Sequence, residues 1–391
     1  MRVDFLAGGY RLRFFDRFDE ETRRFEDDLR SGHTLVGPIP WPRISFWQGY
    51  RHLQSLSGRY FVLQMLRDDS ERAYQMAVIE RPSSLPSFKR GVISHWIPAL
   101  EPEATGDQAE LLKRMTELCR ERTSLMSLHV HSYIPGDSAL DAAEKLLQEH
   151  GFEACHPQMP AKTRIIDLRP PLEELFAQFS RKTRPKLKIK KTEEVRIAEL
   201  KSREQIPALH AASNDAFHRT TAQEYNYDFE SLFQTLEDFP ETAAALGFFL
   251  SDDPGSPKAF VAGVASGPLF EYIMAGSRSD PRLRRHPFNQ NLLWRLLEIA
   301  KARGALIFDM GGITEGGPDD PLAGISDFKR HFPGFEVSIG RERLLKLRPM
   351  RYRLFSFLQA LQRGPRLRGD APSVSFIDHL PVLTRALDVY E

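Results

Sequence analysis

"LFEYIMAGSRSDPRLRRHPFNQNLLWRLLEIAKARGALIFDMGG", residues 269–312, decides the fold class. Its opening, "LFEYIMAGS" (269–277), is a short run rich in apolar and aromatic side chains, which reads as a strand. "FNQNLLWRLLEIAKARG" (288–304) then carries apolar residues at helical spacing and stops at Gly304, a residue that accepts the left-handed backbone of a helix end. "ALIFDMGG" (305–312) is a second apolar run and a second strand. Strand, helix and strand in succession predict a layered α/β fold.

Working outward, "ALGFFLSDD" (245–253) and "AFVAGVASG" (259–267) add two strands with tight turns, and 203–219 and 228–239 read as helices. The first half has the same ingredients. "RYFVLQMLR" (59–67) and "AYQMAVIE" (73–80) are split by "DDSER" and predict a hairpin. A third strand is expected at 91–98. A helix follows at 106–122, with Asp107 as its cap. A strand at 124–135, a helix at 137–152 ended by Gly151, and a strand at 163–168 complete this half. The order then begins again with a helix at 170–180 and a strand at 186–200. Residues 1–45 read as irregular. Two similar α/β units with mixed sheets are expected: 1–168, 169–350, and a helical tail at 351–391. No heptads persist through 200–245, so no coiled-coil arm is expected. Neither half has a Rossmann fingerprint or a P-loop.

Charge is high but balanced, 54 basic against 53 acidic side chains, so any anionic partner must be recognised by local clusters. Two cysteines, Cys119 and Cys155, make no disulfide framework and fit a reducing compartment. The N-terminal stretch is too charged for a signal peptide, and no window is apolar enough to span a bilayer. A cytoplasmic setting is expected, with the inner face of the membrane as its edge.

Three segments can carry chemistry. "RKTRPKLKIKK" (181–191) holds seven basic residues in eleven. On a strand, Lys186, Lys188 and Lys190 share one face, while Leu187 and Ile189 share the other. That face suits phosphates, with Lys182 and Arg184 beside it; an edge strand guarded by lysines explains the pattern equally well. "SRSDPRLRRHPFNQN" (277–291) leads into a helix N-terminus, where backbone N–H groups favour anions. Arg284, Arg285 and Asn289 are the candidates there. Pro287 and Phe288 stand where a coenzyme A loop is usually glycine-rich, and a charged surface loop is the alternative.

"FDMGGITEGGPDDPLAGISDFKRHFPG" (308–334) is the third. Gly311 and Gly312 predict a sharp turn or a close approach to ligand. Lys329 follows on a short segment flanked by Phe328 and Phe332. A lysine held by aromatic neighbours can face a developing anion; a solvated turn lysine is the other reading. No Ser/His/Asp order or HExxH is present. His129 and His131 share a strand face, but no carboxylate or third histidine is near in sequence, so they read as structural and no metal is expected.

Taken together, "HGFEACHPQMPAKTRIIDLRPPLEELFAQFSRKTRPKLKIKK" (150–191), the 269–312 block and "LAGISDFKRHFPGFEVSIG" (322–340) resemble the Fem family of bacterial aminoacyltransferases. These are built of tandem acetyltransferase-type (GNAT) domains. The resemblance covers roughly residues 45–350. It implies transfer of an aminoacyl group from a tRNA ester to an amine of a peptidoglycan precursor or a similar acceptor. It implies that Lys329 steadies negative charge, that Phe328 lies near the RNA end, and that Arg184 belongs to a Lys-Thr-Arg phosphate-binding motif. Tyr272 and Gly312 join them as substrate-binding candidates. Asp309 is the nearest candidate base, because the attacking amine must be neutral. Trp47, Gln48 and Arg51 in "SFWQGYRHLQ" (45–54) are the acceptor-side candidates. No cofactor is expected.

Two other readings stay open: an N-acyltransferase using an acyl-CoA or acyl-carrier thioester, and a non-catalytic binding protein on the same fold. "YRLFSFLQALQRGPRLR" (352–368) is either an anionic-membrane contact or a helix packed on the second domain.

Overall fold

The computed structural model describes residues 2–16, 21–22, 33–36, 39–42, 59–67, 73–83, 85, 87–96, 102–134, 137–155, 161–187, 194–220, 227–314, 320 and 322–363. The strands of the first part are β1 (Arg2–Ala7), β2 (Tyr10–Phe15), β3 (His33–Val36), β4 (Ile39–Pro42), β5 (Tyr60–Arg67), β6 (Ala73–Pro82), β7 (Lys89–Trp96), β8 (Ser127–Ser132) and β9 (Glu153–Ala154). Those that follow are β10 (Lys162–Asp167), β11 (Val195–Glu199), β12 (Ala243–Leu250), β13 (Ala259–Ser266), β14 (Leu269–Ser277), β15 (Ile307–Ile313), β16 (Phe335–Ser338) and β17 (Glu342–Lys346). The helices are α1 (Pro102–Arg122), α2 (Asp137–Glu149), α3 (Leu172–Gln178), the single turn α4 (Arg184–Leu187), α5 (Ile206–Thr220), α6 (Phe229–Asp238), α7 (Phe288–Ala302), α8 (Ala323–Arg330) and α9 (Pro349–Arg363).

Two mixed sheets result. One has the order β1-β2-β5-β6-β7-β8-β17-β9, the other β11-β12-β13-β14-β15-β10-β16. Helices α1 and α2 cover one face of the first sheet, burying Leu111, Leu112, Met115 and Leu147 against Leu63, Val78 and Val130. The second sheet is covered on both faces. Leu209, Leu232 and Phe233 of α5 and α6 pack on one, and Leu292, Leu296 and Leu297 of α7 on the other. The two-unit α/β architecture read from the sequence is therefore present. Between residues 200 and 245 the described helices are the short α5 and α6, with no coiled-coil arm.

The sheets exchange strands. β10, residues 162–167, lies between β15 and β16 of the second sheet, and β17, residues 342–346, lies between β8 and β9 of the first. A division at 168 thus leaves one strand on the far side of each unit.

Several local expectations are corrected. Residues 1–45 are not wholly irregular: β1 and β2 form an antiparallel hairpin across Gly8 and Gly9, extending the first sheet through β5. Asp107 does not cap α1. It lies inside the helix, buried, and accepts from Tyr10 Oη (2.6 Å), Tyr74 Oη (2.8 Å) and Arg67 Nη1 (3.1 Å). Residues 184–187 are helical rather than extended. Ser180 Oγ accepts from Thr183 N at 3.2 Å, starting a turn that drives Leu187 into the core beside α7. Lys186 is therefore not on a strand, and Lys188 and Lys190 lie outside the described residues. Gly311 and Gly312 do not end their strand, which continues to Ile313.

Helix α9 docks on the first half, not the second. Phe355 packs on Phe88 at 5.5 Å, and Arg351 donates to the carbonyls of Ser87 and Ser124. Among the described residues, no helix is long and apolar enough to cross a membrane.

Candidate active site

β14 and β15 run parallel but pair over three rows only: Leu269 with Ile307, Phe270 with Phe308, and Glu271 with Asp309. Beyond that row they part. Two bulges flank the opening. One puts an extra residue, Ile273, into β14 against β13. The other puts Met310 and Gly311 of β15 against Arg164 of β10. Bulges bend a strand and re-aim its side chains, and here they open the centre of the second sheet.

Asp309 stands at the last paired row, fully buried. Its Oδ1 accepts from the Gly311 amide at 2.7 Å and from Thr163 Oγ1, and its Oδ2 from Tyr133 Oη. Tyr133 follows β8 of the first sheet, so the two halves meet on this carboxylate. Burial pushes the Asp309 carboxyl up to about 7, against the Gly311 amide and the Lys329 charge, both of which favour the anion.

Lys329 is buried, with 6% of its surface exposed, which excludes the solvated reading. Its Nζ donates to the Gly312 carbonyl at 2.7 Å and lies 5.9 Å from the centre of the Tyr272 ring. Gly311 has a φ of +76°, and a Cβ there would stand 3.3 Å from Nζ and 3.5 Å from the Tyr272 carbonyl. The ammonium thus occupies the opening between β14 and β15, and the glycine makes room for it. Burial lowers its pKa to about 8, although Asp309 and Glu271 pull it upward. Helix α8 sets this position. Ser326 Oγ accepts from the Thr314 amide at 3.0 Å, and Phe328 and Phe332, rings 5.5 Å apart, seat the helix on the core.

A cavity of about 40 Å³ lies between the sheets. Asp309, Glu271, Gly311 and Gly312 line it from the second sheet, and His131, Tyr133 and Glu342 from the other side. This is room for a few waters or a small polar group, not for a nucleoside. Lys329 does not line the cavity; it stands behind the Gly311–Gly312 wall.

Lys329, Asp309, Gly312 and Tyr272 are therefore brought together, with Phe328 on the same helix as Lys329. The other candidates are not part of this cluster. Arg184 donates through Nε to the Phe179 carbonyl (2.9 Å) and through Nη2 to that of Ala177, closing the end of α3. Lys182, Arg284, Arg285 and Asn289 are exposed. Asn291 of α7 donates to the carbonyl of Lys186, so the two basic segments meet at one edge. Trp47, Gln48 and Arg51 lie outside the described residues.

The loop before α7 offers few amides to a pyrophosphate. Pro281 and Pro287 have none. Arg282 N is taken by Asp280 Oδ1, Leu283 N by the Asp280 carbonyl, and His286 N by the Leu283 carbonyl.

Sequence reasoning missed Tyr133, Thr163, Glu271 and Glu342. Tyr133 and Thr163 are 176 and 146 residues from Asp309; the exchanged strand β10 carries Thr163, and the contact between the halves brings Tyr133. Glu342 likewise supplies the carboxylate that the two histidines lacked. It lies 2.7 Å from His129 Nδ1 and 3.4 Å from His131 Nε2. Burial lowers the His129 pKa, although the hydrogen bond and charge of Glu342 pull it upward. Burial also works to raise that of Glu342, but the charges and hydrogen bonds of His131 and His129 outweigh it and hold the carboxyl far below its usual range. His129, Glu342 and Cys155 together can hold a metal ion.

Residues 178–330 match the family described as acetyltransferase (GNAT) domain. Among solved structures, the crystal structure of FemX is similar at a TM-score of 0.67 and 12% identity, covering 85% of this chain and 98% of that one. A tandem GNAT protein from the clavulanic acid biosynthesis pathway is similar at a TM-score of 0.50 and 12% identity, covering 86% and 98%. No curated protein sequence matches. The Fem-type resemblance and the acyltransferase class read from the sequence agree with these findings. The chain has the fold seen in FemX and in the tandem GNAT protein, and residues 178–330 match the acetyltransferase (GNAT) domain family.

Proposed function

We propose that the protein transfers an aminoacyl group from the 3′-ester of a charged tRNA to an amine acceptor, a peptidoglycan precursor being the acceptor class. The observation that carries this reading is the buried Asp309–Lys329 pair at the point where β14 and β15 part, closed by Tyr133 of the other half. Aminolysis of an ester needs a neutral amine, a way to bear a tetrahedral oxyanion, and a proton for the leaving ribose oxygen. A carboxyl poised near neutrality, Asp309, takes the amine proton and returns it to the ribose oxygen as the C–O bond breaks and the new C–N bond stands. Lys329 adds fixed positive charge behind the Gly311–Gly312 wall, where water does not screen it. The small cavity fits the reacting carbonyl and excludes bulk water, while the bulk of both substrates stays outside.

The exposed basic residues where 181–187 meets α7 support a polyphosphate donor such as tRNA. An acyl-CoA thioester is the second reading, favoured by the acetyltransferase match over 178–330. The consumed amides of 281–287 disfavour it.

The test is single-turnover transfer from a labelled pool of charged tRNA to a panel of peptidoglycan precursors, beside Lys329→Ala. Labelled product from the wild type, lost in the variant, is the expected result. Product with acyl-CoA and none with any charged tRNA would replace the donor. Binding of charged tRNA should also weaken steeply with salt.

A further inference from the structure

We infer that His129, Glu342 and Cys155 form a site for a divalent ion of the zinc class, which pins β17 into the first sheet. The register builds the site. Glu342 of β17 pairs with His131 of β8, and Arg343 pairs with Ala154 of β9. Cys155, the residue after Ala154, therefore falls beside Glu342 on the opposite flank from His131. His129 lies two residues before His131 and shares its face. An imidazole, a carboxylate and a thiol thus come from three adjacent stretches of one sheet face.

The donor atoms converge. A ring nitrogen of His129, Cys155 Sγ and a Glu342 carboxylate oxygen all lie within 4.8 Å of one another. His129 Nδ1 is 2.7 Å from Glu342 Oε1, and His131 Nε2 is 3.4 Å from the same oxygen. Around tetrahedral zinc, ligand atoms stand roughly 3.3–3.8 Å apart, given bonds of about 2.0–2.3 Å. Closing the group onto an ion needs side-chain shifts of about 1 Å, and the strand backbone can stay in place. Nitrogen, oxygen and sulfur together select a borderline ion of the zinc type over magnesium or calcium, which take oxygen ligands. A thiolate and a carboxylate also balance two positive charges, so the filled site buries no net charge. His131 or a water from the adjoining cavity completes the coordination.

The site has a structural rationale. β17 is the segment that returns from the second half of the chain to the first sheet, between β8 and β9. A metal held by all three would lock that return. Cys155 Sγ already faces this strand, 3.5 Å from the Glu342 carbonyl oxygen.

The experiment uses the full chain, stripped with a chelator, and does not depend on the transfer reaction. Zinc content after reconstitution is measured by mass spectrometry, and cobalt(II) serves as the spectroscopic probe. One zinc per chain and a thiolate-to-cobalt charge-transfer band are expected. Cys155→Ser should abolish the band. Cys155→Ser and His129→Gln should each weaken zinc by more than the roughly 10–100-fold that loss of an outer-shell partner costs. Zinc should also slow alkylation of Cys155 and raise the melting temperature of the wild type but not of the variants. Absence of a saturable site overturns the inference. So does zinc binding that either variant leaves unchanged, provided circular dichroism shows both variants folded.

Discussion

Asp309 has no exposed surface, yet its two oxygens collect an amide and two hydroxyls, and a buried ammonium stands nearby. Its carboxyl titrates near 7 because burial outweighs that support. If it is the base, transfer should rise with pH through about 7 and level above it. Asp309→Asn should lower the single-turnover rate by roughly 10²–10⁴-fold and abolish this limb. Lys329→Met removes the cation that favours the carboxylate, so the limb should move above 7. An unmoved limb in Lys329→Met would separate the two groups and sink the coupling. Stability gives an independent reading. The folded state holds the Asp309 proton more tightly than the unfolded chain, from 3.8 up to about 7, so this group makes stability fall as pH rises across that window. Lys329 works oppositely: its pKa falls from 10.5 to about 8, so its contribution makes stability rise between those values. Urea unfolding across pH 4–7 should show a shallower fall in Asp309→Asn than in the wild type, the difference not exceeding about 4 kcal/mol.

At the scale of elements, α8 and the turn after it hold Lys329 in place through a contact that tolerates no side chain. Gly334 has a φ of +116°, and a Cβ there would stand 2.1 Å from the Ile165 carbonyl oxygen. That neighbour is backbone in the middle of β10, so it cannot step aside. Gly334→Ala should destabilise the protein by about 3 kcal/mol or more and loosen β16 from β10. Gly324→Ala, at a position with open space around it, should cost little. Equal melting temperatures for the two variants would refute the argument. The same elements show what a sequence can and cannot disclose. The hairpin of β5 and β6, the helix α7 ending at Gly304, and the strand leading to Asp309 were legible, because period and punctuation are local. Asp107 looked like a cap because aspartate favours caps. Only the fold places Tyr10, Tyr74 and Arg67 around it. Residues 184–187 looked extended because lysine and apolar residues alternate there, while the turn begun at Ser180 and the burial of Leu187 favour a helical turn. Lys329 was legible as a candidate but its burial was not, since the opening that receives it depends on two bulges.

For the whole molecule, the doubling of the fold was legible and the exchange of strands was not, because order along the chain does not say which sheet a strand joins. That exchange is also why Asp309 could be named from sequence and Thr163 could not, while Tyr133 is brought in by the contact between the halves. It has a direct consequence for folding. A fragment 169–350 lacks β10, the strand between β15 and β16, and with it Thr163. It also carries β17 without β8 and β9 to pair with. A fragment 1–168 lacks β17, which leaves β8 with an open edge, and carries β10 with its apolar Ile165 and Ile166 unpaired. Unpaired inner strands expose both backbone groups and apolar faces, so each fragment should aggregate or remain unfolded. Each half also needs the other for Tyr133 or Asp309, whose bond closes the site. The intact chain should therefore unfold in one cooperative transition, with tertiary and secondary signals coincident. Co-expressed fragments 1–160 and 161–391 are cut between β9 and β10, outside every described strand, and should assemble into a complex that neither forms alone. Independent folding of 169–350, with its own sharp thermal transition, would show that the second sheet does not need β10 and would remove the structural reason for reading the two halves as one site.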